Sequence, residues 1–238
     1  GRDALPLTFA QERILLLQRL FPDMIAYHFE AMVRFSGALD PEILDVQRPP
    51  PLEVAASYRF LGAINRWLGG VRASRLGFAE FSRGWRPDQR IRVLDVGSGT
   101  GDIPRALAKW DPRLEFTCTD VAAGPPNAVQ VRADALRLPF GDAAFDYVTT
   151  SLFLHHLSDG QAAQALDEFD RVAARGLLMN DLLRRHRLYW WTKLFTLFGN
   201  SIVRFDGPLS VRKSFTPDEL RVLAARLPLT ALGTRVPD

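Results

Sequence analysis

The residues able to do chemistry fall in a fixed order along the chain. Asp95 lies two residues before a glycine cluster, Gly97-Ser98-Gly99-Thr100-Gly101, which follows the apolar run at 91–96 and precedes a helical run from 102. Glycines let a backbone pass close to a ligand, and a helix N-terminus offers free N–H groups. The spacing is G-x-G-x-G. A dinucleotide fingerprint asks for a small residue three positions after its second glycine, and Asp102 stands there, which argues against NAD or FAD. No G-x-x-x-x-G-K-[ST] occurs, so a P-loop is excluded. Asp95 itself would repel a pyrophosphate and suits an ammonium group. Asp120 closes the next strand-like run, 25 residues after Asp95, where a carboxylate can accept both hydroxyls of a ribose. Asp134 and Ala135 follow the third run, and Ser151 ends the fourth.

A second group has the chemistry of a base. His155 and His156 come just after Ser151, and Asn180-Asp181 closes a fifth run. A hydroxyl or acidic carbon that is to act as a nucleophile is helped by a base of this kind. His155, His156 and Asp181 are the candidates. The competing reading of each histidine is a packing or capping residue.

These residues need a scaffold. Strand-like runs at 91–96, 114–119, 128–132, 145–151 and 176–180 alternate with helical runs at 102–109 and 161–173. That alternation predicts an α/β fold, a mostly parallel sheet with helices on both faces. In such sheets ligands bind at the carboxyl ends of the strands, where all the residues above fall. Two helices, 52–68 and 71–81, precede the sheet.

The ordered set VLDVGSGTGD (93–102), TD (119–120), ADALRLPF (133–140) and FDYVTTSLFLHHL (145–157) resembles the class I S-adenosylmethionine-dependent methyltransferases, most of all the menaquinone/ubiquinone-biosynthesis-like small-molecule branch. The resemblance implies a Rossmann-like fold and S-adenosyl-L-methionine as cofactor. It implies roles by position. Gly97, Ser98, Gly99 and Gly101 shape the turn around the methionine part, and Asp95 reaches its ammonium through water. Asp120 holds the ribose hydroxyls with Val121 beside the adenine. Asp134 accepts from the adenine amino group, the Ala135 N–H faces the ring, and Ser151 lies near the methionine end. No metal is expected. Two departures are visible. Gly124, Pro125 and Pro126 make 121–128 a loop where the family has a helix, and 229–236 has room for one short strand where the family has an antiparallel pair. The sheet is therefore expected to be incomplete at that edge.

The 238 residues are 47% hydrophobic and 24% charged, an ordinary globular composition, and 11% aromatics exclude global disorder. One cysteine, Cys118, excludes an internal disulfide and a four-cysteine zinc site. With no signal-peptide pattern and no long apolar run, a cytoplasmic location is expected. The net charge of +3 is too small to announce a nucleic-acid partner; RNA methylation, suggested by the pI of 9.3, is the weakest substrate reading because no nucleic-acid motif accompanies it. The charge is uneven: residues 1–45 hold four Arg against seven acids, and 175–213 hold eight Lys/Arg against two Asp. The basic, aromatic stretch 184–198 reads as a lid over an apolar substrate, a peripheral membrane contact, or a core-packing helix. Residues 205–212 read as a specificity loop, and Thr216-Pro217 as a helix start.

Three segments follow. Residues 1–45 contain a helix (9–20) and an alternating strand (27–35), and LPLTFAQER (5–13) with SGALD (36–40) resembles the start of a nonribosomal peptide synthetase condensation domain. The H-H-x-x-x-D-G motif of that family is one residue short at 155–160, so condensation activity is not expected. Residues 46–51 form a proline-rich linker, and 52–238 the methyltransferase domain. The expected function is methyl transfer by in-line displacement to a small apolar or aromatic metabolite, quinone-like or polyketide/peptide-like. The alternative is an impaired accessory or remnant module of a peptide or polyketide assembly system. A homo-oligomer or an assembly-line partner fits either reading.

Overall fold

The computed structural model describes residues 42–43, 50–67, 70–122 and 128–225. The expected helix and strand within 1–41, most of the loop at 121–128 and the C-terminal strand at 229–236 lie outside the described residues.

Helices α1 (Pro51–Trp67) and α2 (Gly70–Ser82) come first. Pro51, assigned to the linker from sequence, instead opens α1. The first helical position needs no N–H donor, and a fixed φ suits it. Then come β1 (Ile91–Val96), α3 (Asp102–Trp110), β2 (Leu114–Asp120), β3 (Val131–Arg132), β4 (Phe145–Ser151), α4 (Asp159–Val172) and β5 (Ala173–Asn180). The third strand is shorter than the expected 128–132. The fifth is longer than 176–180, and Ser158 starts α4 early through a capping box with Gln161. The chain ends its described part with α5 (His186–Thr196), α6 (Ser201–Lys213) and α7 (Pro217–Ala224).

The five strands pair in parallel in the order β3-β2-β1-β4-β5. Each face carries its own core. On one, Phe78 and Trp85 meet Ile91, Val93, Ile103, Leu107 and Leu178. Here the Trp85 indole N–H donates to the Tyr147 hydroxyl at 3.0 Å. On the other, Ala162, Leu166, Phe169 and Val172 of α4 cover Leu94, Val96 and Val148. Helices therefore flank the sheet on both sides. Strand order reverses between β1 and β4, and in open α/β sheets ligands bind outside the carboxyl ends of the strands at such a reversal.

The expectation for 205–212 fails. The segment is the second half of helix α6, with Pro208 inside it. A glycine followed by a proline signals a turn in isolation, and Pro208 removes one helical hydrogen bond. Tertiary packing overrides this. Asn200 caps the helix by accepting from the Val203 N–H at 3.0 Å. Ile202, Val203, Leu209 and Val211 are buried. Gly207 is small because α5 passes close: a Cβ there would lie 2.6 Å from Thr196 Cγ2. Close helix contact, not a loop, accounts for the glycine.

Candidate active site

The turn after β1 is built from backbone. Gly97, Gly99 and Gly101 have φ of 69°, 51° and 64°, the left-handed region that side chains resist. At Gly97 space also forbids a side chain, because a Cβ would sit 2.4 Å from the Phe153 ring. A Cβ at Gly99 would meet no atom within 4 Å. The turn is pinned to the sheet: Ser98 N–H donates to the Thr119 carbonyl at 3.0 Å, and the Ser98 hydroxyl to the Asp95 carbonyl at 2.8 Å. Asp120 joins turn and strand. Its carboxylate accepts from the Gly99 N–H and the Ala122 N–H, each at 2.9 Å. Lone pairs remain on both oxygens for further donors. Val121 beside it is exposed.

Asp95 lies beneath the turn at 3% exposure. Burial pushes its pKa up to about 7; the Ser98 hydrogen bond works against this, and the negative neighbours Asp102 and Asp120 add to it. An uncompensated buried carboxyl of this kind favours a cationic ligand. Asp134 accepts from the Leu136 N–H at 2.9 Å and closes a tight turn that buries Ala135. Arg171 staples the following segment to α4. It pairs with Glu168 at 2.8 Å and donates to the Leu138 and Phe140 carbonyls. The Ser151 hydroxyl at the end of β4 is buried without a partner among the described residues.

Beyond Ser151 the chain turns sharply. Leu152 takes φ 54° and donates its N–H to the Asn180 carbonyl at 2.8 Å. A leucine in that region costs roughly 1 kcal/mol. The turn throws Phe153 against Gly97 and starts a 3-10 turn, Leu154–His156. His155 Nδ1 lies 2.6 Å from Asp181 Oδ1, both side chains buried. Burial pushes Asp181 up, but the His155 charge and hydrogen bond, with the Leu182 and His155 N–H groups, outweigh it. The carboxyl is held below its ordinary value. An ionised Asp181 keeps the proton on Nδ1 and leaves Nε2 of His155 as the acceptor. Asn180 is directed elsewhere: its amide donates to the Gly70 carbonyl and Ser74 hydroxyl, tying β5 to α2.

Sequence reasoning missed four contributors. The His156 ring stands 4.3 Å from that of His155, and its Nδ1 is 3.9 Å from Glu42 Oε2. Glu42 is buried, accepts from the Ser210 hydroxyl at 3.0 Å, and lies 3.7 Å from Lys213 Nζ. The neighbouring Ile43 N–H donates to Asp206 at 2.7 Å. Glu42 had been assigned to a separate segment, and Asp206, Ser210 and Lys213 to a loop or its flank, so no sequence pattern joined them. Glu42, His155 and His156 bring ligand atoms within 4.8 Å of one another, a spacing a metal ion could bridge. Lys213 stands beside this carboxylate as a cation.

Three comparisons bear on the arrangement. The family pattern for a methyltransferase domain matches residues 93–176. Residues 93–176 are a class I S-adenosylmethionine-dependent methyltransferase domain. The demethylmenaquinone methyltransferase of Roseiflexus castenholzii is 40% identical over 40% of this chain and 46% of its own length. That of Thermotoga maritima is 29% identical over 54% and 66%. The chain spans about half the length of the first of these curated relatives. Among solved structures, the plantazolicin methyltransferase BpumL in complex with SAH superposes with a TM-score of 0.56 at 13% identity, covering 73% of this chain and 68% of that one. At that identity the likeness is one of fold.

The described residues fit S-adenosylmethionine. The glycine turn leaves Gly99 open, Asp120 presents a fixed carboxylate beside it, Asp95 offers a buried negative partner, and Ser151 holds an unused hydroxyl.

Proposed function

We propose that the chain transfers a methyl group from S-adenosylmethionine to an acidic oxygen or carbon of a small, apolar, quinone-like metabolite. The observation that carries this reading is the buried Asp181–His155 pair, just past the carboxyl ends of β5 and β4. The demethylmenaquinone methyltransferases among its relatives support a quinone-like acceptor.

The cofactor supplies a methyl already electrophilic on its sulfonium. The protein's work is to orient and to move one proton. Gly97, Ser98, Gly99 and Gly101 carry the methionine part, with Asp95 answering its ammonium and Ser151 at the same end. Asp120 takes the ribose hydroxyls, and Val121, Asp134 and Ala135 flank the adenine. His155 Nε2 accepts the acceptor's proton. Asp181 fixes the tautomer and stabilises the imidazolium that results. His156 and Glu42 extend the network toward α6. The domain begins at Pro51, and Glu42 before it joins the same network. A remnant without turnover finds no support: the glycine turn, Asp120 and the His155–Asp181 pair are all formed.

The test is calorimetric titration of the full chain with S-adenosylmethionine and S-adenosylhomocysteine, followed by label transfer to a dihydroxynaphthalene carrying an apolar tail. Binding lost in Asp120→Ala, with transfer lost in Asp181→Asn, is the expected result. A folded chain that binds neither nucleoside would overturn the reading.

A further inference from the structure

The helical hairpin α5–α6 leaves an apolar surface in solvent. Trp190, Trp191, Leu194 and Phe195 on α5, Phe198 in the turn and Phe205 on α6 are all exposed, Trp190 at 62% and Phe198 at 82%. Positions 190, 191, 194, 195 and 198 share one side of the helix and its extension. Several exposed aromatic side chains on one helix face mark an interaction surface more often than chance exposure does. The rings are ordered among themselves: Trp191 stacks on Phe195 at 5.5 Å, and Lys193 lies 5.2 Å over Trp190.

The charge around this patch has one sign. Residues 182–205 contain four Arg, one Lys and no Asp or Glu. Arg185, Lys193 and Arg204 are exposed, while Arg184 is paired with Glu219. Burying such a patch against a second copy by two-fold symmetry would bring like charges together. An anionic lipid surface meets both features at once: aromatic side chains enter the interfacial zone, and the cations face headgroups. No helix among the described residues is long and apolar enough to cross a membrane, so the contact is one of lying on the surface.

We propose that the α5–α6 hairpin docks the protein on an anionic membrane surface. Helix α6 packs against the Leu154–His156 turn, and its buried face supplies Ser210 and Lys213 to the Glu42 network. Docking therefore sets the histidines close to the lipid phase, from which an apolar acceptor is drawn.

The experiment is co-sedimentation of the full chain with vesicles of about one-third phosphatidylglycerol in phosphatidylcholine, against vesicles of phosphatidylcholine alone. Tryptophan emission and size-exclusion profiles are recorded beside it. Binding to the anionic vesicles with a blue shift, weakened by salt and abolished in Trp190→Ser/Phe198→Ser, is expected. Each of Arg185→Gln, Lys193→Gln and Arg204→Gln should lower partitioning about fivefold. Both apolar positions are exposed, so the double variant keeps its fold and its affinity for S-adenosylhomocysteine, which separates failure here from failure of the catalytic reading. A chain that ignores both vesicle types overturns the proposal. So does a concentration-dependent dimer abolished by the same substitutions, which would make the patch a protein interface.

Discussion

The two halves of the candidate site are made in different ways. The proposed cofactor side runs from Asp95 to Ala135 and is held by backbone: left-handed glycines, N–H groups on Asp120, and an Asx turn at Asp134. The proposed acceptor side draws Glu42, His155, His156, Asp181, Ser210 and Lys213 from across the chain and is held by side chains. A backbone-built site tolerates variation around it but not within its glycines and acids. A side-chain network can change its acceptor by exchanging single residues. One scaffold can thus keep a common cofactor while its acceptor chemistry varies.

The comparison breaks most sharply at Asp181. Asp181→Asn preserves shape but lets His155 lose its tautomer. Turnover should fall about a thousandfold, about 4 kcal/mol, with affinity for S-adenosylhomocysteine unchanged. Equal loss of both in kinetic and calorimetric measurements would mean that the two sides are not separable.

Asp95 tests the cofactor side through pH. Its pKa is raised from 3.8 to about 7 in the folded chain, so the folded state holds a proton that the unfolded state has released. Stability should fall as pH rises from about 4 to about 7 and stay level above. The difference is at most about 4 kcal/mol. Asp95→Asn should remove that slope and be the more stable protein at pH 8, while binding S-adenosylmethionine more weakly. In the wild type, binding near pH 6 should release a proton, seen as buffer-dependent heat. A melting temperature with the same pH slope in both proteins would rule out the buried carboxyl as its source.

Asp120→Ala removes the acceptor of two backbone N–H groups as well as the proposed ribose contact. Affinity should drop about a hundredfold or more, measured by titration, and the turn at Gly99 should gain hydrogen-exchange.

Legibility followed the same division. The glycine spacing, Asp95, Asp120 and Asp134 could be read from the sequence because each lies within a few residues of the strand end that places it. The parallel pairing of the sheet was legible too, since strands alternating with helices join by crossover connections. His155 and Asp181 were visible as strand-end residues, though not as a pair. Glu42 was not: its partners are 113 or more positions away, which no local pattern records. Helix α6 was misread for a related reason. Gly207 and Pro208 carry a strong local turn signal, and only contact with Thr196 explains their place in a helix.

Glu42 gives the finest test of the acceptor side. Glu42→Gln keeps the bond to Ser210 but removes the charge that faces Lys213 and His156. Because it acts through His156 and not on the reacting atoms, its effect on turnover should be modest, about fivefold. Affinity for S-adenosylhomocysteine should not change. Glu42→Asp, which restores the charge with a shorter reach, should recover turnover in part. If Glu42→Gln lowers thermal stability but leaves turnover unchanged, Glu42 only anchors the segment before α1 to α6, and the proposed acceptor network ends at His155.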